Sequence, residues 1–184
     1  MDDGNRSRLK MCLLGLAGGV AGTAAMNLYM KGMQKVLKEK SHLSREQSGR
    51  QTAEHDISII GRQHRPGENA AVALGRIAYT RLERREPDDQ TKSKLGNLVH
   101  WGYGTDMGGV YGLIRGRREK LDLLGGLAYG AALWAVGDEL AVPLLGLAEG
   151  PKAHPASDHA ETFGAHLVYG AATAAVTQLL ERVV

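Results

Sequence analysis

Five ionisable residues, His100, Asp106, Asp138, Glu139 and His166, lie within or at the edge of stretches that are otherwise apolar. An ionisable group in an apolar setting is costly, so such residues face a partner, a cavity or a pathway. Two imidazoles and a carboxylate from three helices are a donor set that a divalent metal such as zinc accepts. The same set can relay protons, because imidazole titrates near neutral pH. It can also simply hydrogen-bond between helices and fix their packing. No two of these residues show a recognised ligand spacing such as His-x-x-x-His. All three chemistries, structural, proton or ion pathway, and metal, are therefore carried forward, with the structural one leading.

Other chemistries find little support in the residues. The chain has one cysteine, Cys12, which excludes an intrachain disulfide framework. No nucleophile motif is present. The glycines of Gly102–Gly112 lack the Gly-x-Gly-x-x-Gly spacing of a dinucleotide loop. A formal charge of +3 with 5% aromatic residues offers no basic stripe interleaved with stacking rings, so nucleic acid is not an expected partner. No cofactor is implied, and the reading leans away from an enzyme.

The elements that must position the five residues are four Ala/Gly-rich apolar blocks, at about 11–30, 95–114, 121–147 and 159–180. The overall mean hydropathy of -0.25 is low for a membrane protein, but the polarity is segregated. Residues 34–95 hold 13 of the 23 Lys+Arg, which leaves three of the blocks with few charges over about 20 residues, the length that crosses a hydrocarbon core. Small residues recur four apart: Gly15, Gly19 and Gly18, Gly22 in the first block, Gly104, Gly108, Gly112 in the second, and Gly126, Gly130 in the third. That spacing places them on one helix face and lets a neighbouring backbone approach closely. The expected fold is all-α: a single membrane domain, an integral bundle of about four transmembrane helices, with a polar, partly helical insert at 34–94. A soluble four-helix bundle is the competing fold.

Within the insert, Lys35 to Gln63 has no sustained periodicity, and Pro66-Gly67 punctuates the chain. A helix then follows to about Arg85, with Ala70, Leu74, Ile77, Ala78 and Leu82 sharing a face. It either rests on the rest of the protein or lies in a membrane interface, helped by Arg76, Arg81, Arg84 and Arg85. Pro87-Asp88-Asp89 ends it. Positive charge before the first block and in Arg115, Arg117, Arg118 and Lys120 places both termini on the cytoplasmic side. Trp101, Tyr103, Tyr111 and Tyr169 suit interfacial belts or hydrogen bonds inside the bundle. His154 and His159 are expected to be exposed, and Lys31 to snorkel to the interface.

From Leu95 onward a longer pattern emerges. It runs His100-Trp101-Gly102-Tyr103-Gly104, Gly109-Val110-Tyr111-Gly112, Trp134, Asp138-Glu139, Pro143, Gly146-Leu147 and His166-Leu167-Val168-Tyr169-Gly170. This order resembles the YagU-like family of bacterial inner-membrane proteins over about residues 97–176. The family has no established biochemical activity, so the resemblance implies location and topology and carries over no catalytic residue. Some relatives have His at the place of Asp138. The expectation is thus a multi-pass protein of the bacterial inner membrane, structural or accessory, in contact with lipid and with a second copy or another membrane protein. The alternatives are a proton, ion or small-solute pathway through the His/Asp/Glu centre, and a metal-binding membrane protein.

Overall fold

The computed structural model describes residues 3–41, 57–117 and 121–183. Among them there is no strand, and the chain is all-helical. In order come α1 (Asp3–Ser41), α2 (Ala70–Glu83), α3 (Asp89–Arg115), α4 (Leu123–Leu133), a π-helical segment (Trp134–Ala141), α5 (Val142–Leu144), a short 3-10 turn (Pro151–Ala153) and α6 (Ala156–Val183). The four apolar blocks are mostly helical, the third ending in a turn at 145–147. The part of the insert at 42–56, and Arg118 and Lys120, lie outside the described residues.

Helix starts follow from local side chains. Asn69 Oδ1 accepts the Val72 amide at 3.0 Å and caps α2. Asp88 and Asp122 do the same for the Thr91 and Gly125 amides, at 2.7 and 2.9 Å, at the starts of α3 and α4. α2 stops at Arg84, whose φ of 57° is left-handed and whose amide bonds to the Thr80 carbonyl. The π segment precedes Pro143. That residue has no amide for the Glu139 carbonyl and its ring crowds it, so a widened turn relieves the clash.

The chain divides into two compact units. The first comprises residues 1–51, 104–134 and 156–184, the second residues 52–103 and 135–155. In the first unit α1 and α4 both pack on α6. Glycine decides how closely. A Cβ on Gly15 would fall on the Gly108 carbonyl oxygen and 2.9 Å from the Gly112 Cα, and one on Gly19 would lie 2.5 Å from the Gly104 oxygen. On α4, a Cβ at Gly126 would lie 2.6 Å from both the Gly170 oxygen and the Ala174 Cβ of α6. These backbones touch, and Cα–H groups face carbonyl oxygens across the interface.

The interior of this unit is mixed: Met11, Leu14, Tyr111, Ala165 and Ala174 are buried together with polar side chains. Its buried side chains include Thr23, Thr173, Thr177, Gln178, Tyr169, His166 and Arg115. Its exposed ones include Leu9, Leu13, Val20, Leu28, Leu113, Ile114, Leu124 (80% exposed) and Leu179. Scattered surface leucines are ordinary, whereas polar groups inside with large aliphatic groups outside are informative.

Of the described helices, α1 is the one long and apolar enough to cross a membrane, over Gly4–Lys35, and one third of its most apolar stretch is buried. The four-span expectation narrows to this single helix on length and composition. α3, at 27 residues, is diluted by glycine and carries Asn97, His100 and Asp106. α4 gives way to the π segment after 11 residues. α6 carries His166 and Gln178 in its middle and second half.

In the second unit, α2 lies against the first half of α3. A Cβ on Gly75 would meet the Leu95 Cβ at 2.8 Å, and one on Gly96 the Val72 Cγ2 at 2.5 Å. A strap at 57–68 is pinned to the turn after α5. The Gly146 carbonyl accepts the Gln63 amide at 2.8 Å, the His64 amide at 2.9 Å and the His64 Nδ1–H at 2.9 Å, and the Ile59 amide bonds to the Leu144 carbonyl at 3.0 Å. Gly146 has φ +64°, and a Cβ there would strike the Gly61 oxygen, so only glycine fits this turn.

Candidate functional site

The five sequence-predicted residues are divided between the units. Asp106 of α3 and His166 of α6 belong to the first, and His100 of α3 with Asp138 and Glu139 of the π segment to the second. Asp106 and Asp138 are exposed, His100 and Glu139 half-buried, and His166 buried. Among the described residues no three His, Cys, Asp or Glu form a group able to hold a metal ion, so the metal reading gains no geometry.

His166 acts within its own helix. Its Nδ1–H donates to the Thr162 carbonyl at 2.9 Å, one turn earlier. Because a carbonyl only accepts, Nδ1 carries the proton. The His166 backbone is also a contact point, since a Cβ on Gly130 would fall on its carbonyl oxygen. Thr162 Oγ1 accepts the Trp134 Nε1–H at 3.1 Å and donates to the Asp158 carbonyl at 3.0 Å. Phe163 meets the Trp134 ring edge-on with centroids 5.0 Å apart. His159 is not the exposed loop residue expected. It is half-buried, edge-on to Trp134 at 6.5 Å.

In the second unit Asp138 and Glu139 sit on the π segment, one turn before Pro143. The Tyr103 hydroxyl would lie 3.3 Å from a Cβ on Gly137, so this half of α3 runs beside the π segment. His100 is three residues before Tyr103 and shares its side of α3. A π turn inside a helix often marks a functional position, which keeps Asp138 and Glu139 of interest.

Tyr169, which the sequence offered for a hydrogen bond inside the bundle, makes one, and Tyr129, which it did not single out, makes another. The Tyr169 hydroxyl donates to the Gly104 carbonyl and that of Tyr129 to the Met107 carbonyl, both at 2.6 Å. Three threonines lie over glycine: a Cβ on Gly18, Gly22 or Gly104 would fall on Oγ1 of Thr177, Thr173 or Thr23. Tyr111, tilted against Tyr129 with centroids 5.2 Å apart, is buried, whereas Trp101 and Tyr103 are exposed.

Arg115 is a correction. Grouped by sequence with a basic connection, it is the last residue of α3, and its side chain is 1% exposed. Its guanidinium binds the Glu181 carboxylate of α6 at 2.7 Å and the side-chain oxygen of Gln178. The signal was present as Gln178 and Glu181, one turn apart on a helix of Ala, Val and Leu.

Arg76 is a second correction. Counted among the arginines that would serve the interfacial alternative for α2, it is buried, 2.8 Å from the Glu68 carboxylate and 2.7 Å from the Gln63 carbonyl. Burial pushes the Glu68 carboxyl up. Hydrogen bonds from the Arg76 guanidinium and the Arg65 amide, with the charge of both arginines, outweigh this and hold it below the usual glutamate value.

Comparison with known proteins adds no relative: no family model matches the chain, and no curated protein or solved structure is similar to it. The resemblance of residues 97–176 to the YagU-like family gains no support from these comparisons.

Proposed function

We propose that the chain is a small multi-pass protein of the bacterial inner membrane, structural or accessory in role, whose helices are held by glycine contacts and buried interhelical polar groups. The observation that supports this reading is the aliphatic exterior of the first unit around a partly polar interior. Leu13, Leu113, Leu124 and Leu179 are outside, while Arg115, paired with Glu181 and Gln178, is inside with Met11 and Leu14. In water outward leucines forgo the burial that drives folding; in hydrocarbon they lose nothing by facing outward. Close glycine approaches are the packing mode that works without a hydrophobic drive between helices. The bacterial inner-membrane location in this proposal is taken from the resemblance to the YagU-like family.

A pathway through the five ionisable residues has less support, because Asp106 and Asp138 are exposed. The test of the leading reading is alkaline carbonate extraction of membranes from cells expressing the full chain. The protein is expected in the pellet, and recovery in the supernatant would reject the proposal. Folded His100→Ala, Asp138→Ala and His166→Ala variants, assayed for proton flux in proteoliposomes, separate the roles. Loss of a flux that the unaltered protein supports would replace the structural role with the pathway.

A further inference from the structure

The apolar face of α2 points away from the chain. Leu74, Ala78 and Leu82 recur every four residues and so share a side, and all three are exposed, Leu82 by 82%. The inward side holds Ala73 and Arg76, with Gly75 against Leu95. An amphipathic helix lying on a soluble protein does the reverse and turns leucine in and arginine out. Here the inward arginine is fully engaged by Glu68 and the Gln63 carbonyl, which leaves the aliphatic side uncovered by the described residues.

Charge identifies what covers that face. Arg81 lies on the outward side beside Leu74 and Ala78, and Arg84 and Arg85 follow at the exposed end of the helix. Arg85 is steadied over the Tyr79 ring at 5.6 Å. Of the acids nearby, Glu83 falls about 160° around the helix from Arg81, and Glu86 and Asp89 are paired with Arg65 and Lys92. Aliphatic groups beside Arg81, with Arg84 and Arg85 at the exposed end, match a bilayer surface, where acyl chains lie beneath anionic phosphates. The strap of the same unit adds Ile57, Ile59 and Ile60, all exposed.

We propose that α2 is an interfacial anchor, with Leu74, Ala78 and Leu82 among the acyl chains and Arg81 and Arg84 on the phosphates of anionic lipids. This rests on the membrane reading above, and the experiment separates the two. In the full chain with Cys12→Ala, single cysteines are placed by Leu82→Cys, Glu83→Cys and, as a bilayer reference on α1, Leu13→Cys. Each is labelled with an environment-sensitive fluorophore and reconstituted into phosphatidylcholine vesicles with and without phosphatidylglycerol. Quenching by lipid carrying a shallow spin label is then read. The expected result is quenching at 82 at least threefold greater than at 83, stronger with phosphatidylglycerol and reduced by Arg81→Gln/Arg84→Gln. If 82 is quenched no more than 83 while 13 is quenched, the anchor is wrong and the membrane reading stands. If 13 is also unquenched, the membrane reading fails and the anchor with it. A blue-shifted but unquenched probe at 82 means protein covers the face and overturns the proposal. Indifference to both phosphatidylglycerol and the arginine changes overturns the headgroup contact.

Discussion

Gly15 of α1 and Gly108 of α3 face each other so closely that a Cβ on either would fall on the carbonyl oxygen of the other. Neither neighbour is the movable end of a side chain, so the helices themselves must part to admit a methyl group. Gly108→Ala is expected to destabilise the purified protein by roughly 1–3 kcal/mol, as overpacking does. Gly102, on the same helix, meets nothing within 4 Å. Gly102→Ala should leave stability unchanged or raise it by up to about 1 kcal/mol through helix propensity. Thermal unfolding in detergent compares the two, and equal losses would refute the interlock.

The Arg115–Glu181 pair is buried at 2.7 Å, so its members depend on each other. Arg115→Met leaves Glu181 and Gln178 facing an apolar group and should cost about 3–5 kcal/mol. The double variant Arg115→Met/Glu181→Leu should recover most of that loss, because no charge is then stranded. A double variant no more stable than the single one would contradict this account.

The helices were legible in the sequence because apolar blocks of Ala, Gly and Leu alternate with charged connections. Asn69, Asp88 and Asp122 also mark where three of the helices begin. What escaped was the sense of each face. The stripe of Leu74, Ala78 and Leu82 was visible, but periodicity cannot say whether a stripe looks in or out, and here it looks out. Arg115 and Arg76 were read as surface charge because their partners, Glu181 and Glu68, are 66 and 8 residues away and no local spacing announces them. The five-residue centre was inferred from cost alone. Cost identifies residues that need a partner without saying which, and His166 found its own in the preceding turn of its helix. The threonines were under-weighted because hydroxyls look neutral in a sequence, although Thr23, Thr173 and Thr177 are buried.

The Tyr169 hydroxyl donates to the Gly104 carbonyl at 2.6 Å inside the first unit. Tyr169→Phe keeps the ring and removes the bond, and should destabilise by about 0.5–1.5 kcal/mol. Thermal unfolding checks this, and a rise in melting temperature would show the hydroxyl to be dispensable.

Glu68 ties Arg76 to the start of α2, and its carboxyl is held below the ordinary glutamate value of 4.5. A depressed folded value means the contribution is fully present above 4.5 and is lost as pH falls through the lower folded value. Hydrogen exchange of the α2 amides should therefore accelerate as pH drops below about 4.5, after correction for intrinsic exchange rates. In Glu68→Gln that extra acid dependence should vanish. An unchanged acid profile in the variant would assign the effect to another carboxylate.

The central claim is that unit 1 faces lipid with its leucines, and depth measurement at four outward sites tests it most directly. Spin labels at Leu13 of α1, Leu113 of α3, Leu124 of α4 and Leu179 of α6, each exposed, would be read in vesicles for collision with oxygen and with a water-soluble nickel chelate. The account predicts that all four are accessible to oxygen and shielded from nickel. Nickel accessibility at 113, 124 and 179 would leave at most α1 in the bilayer and contradict the multi-pass arrangement.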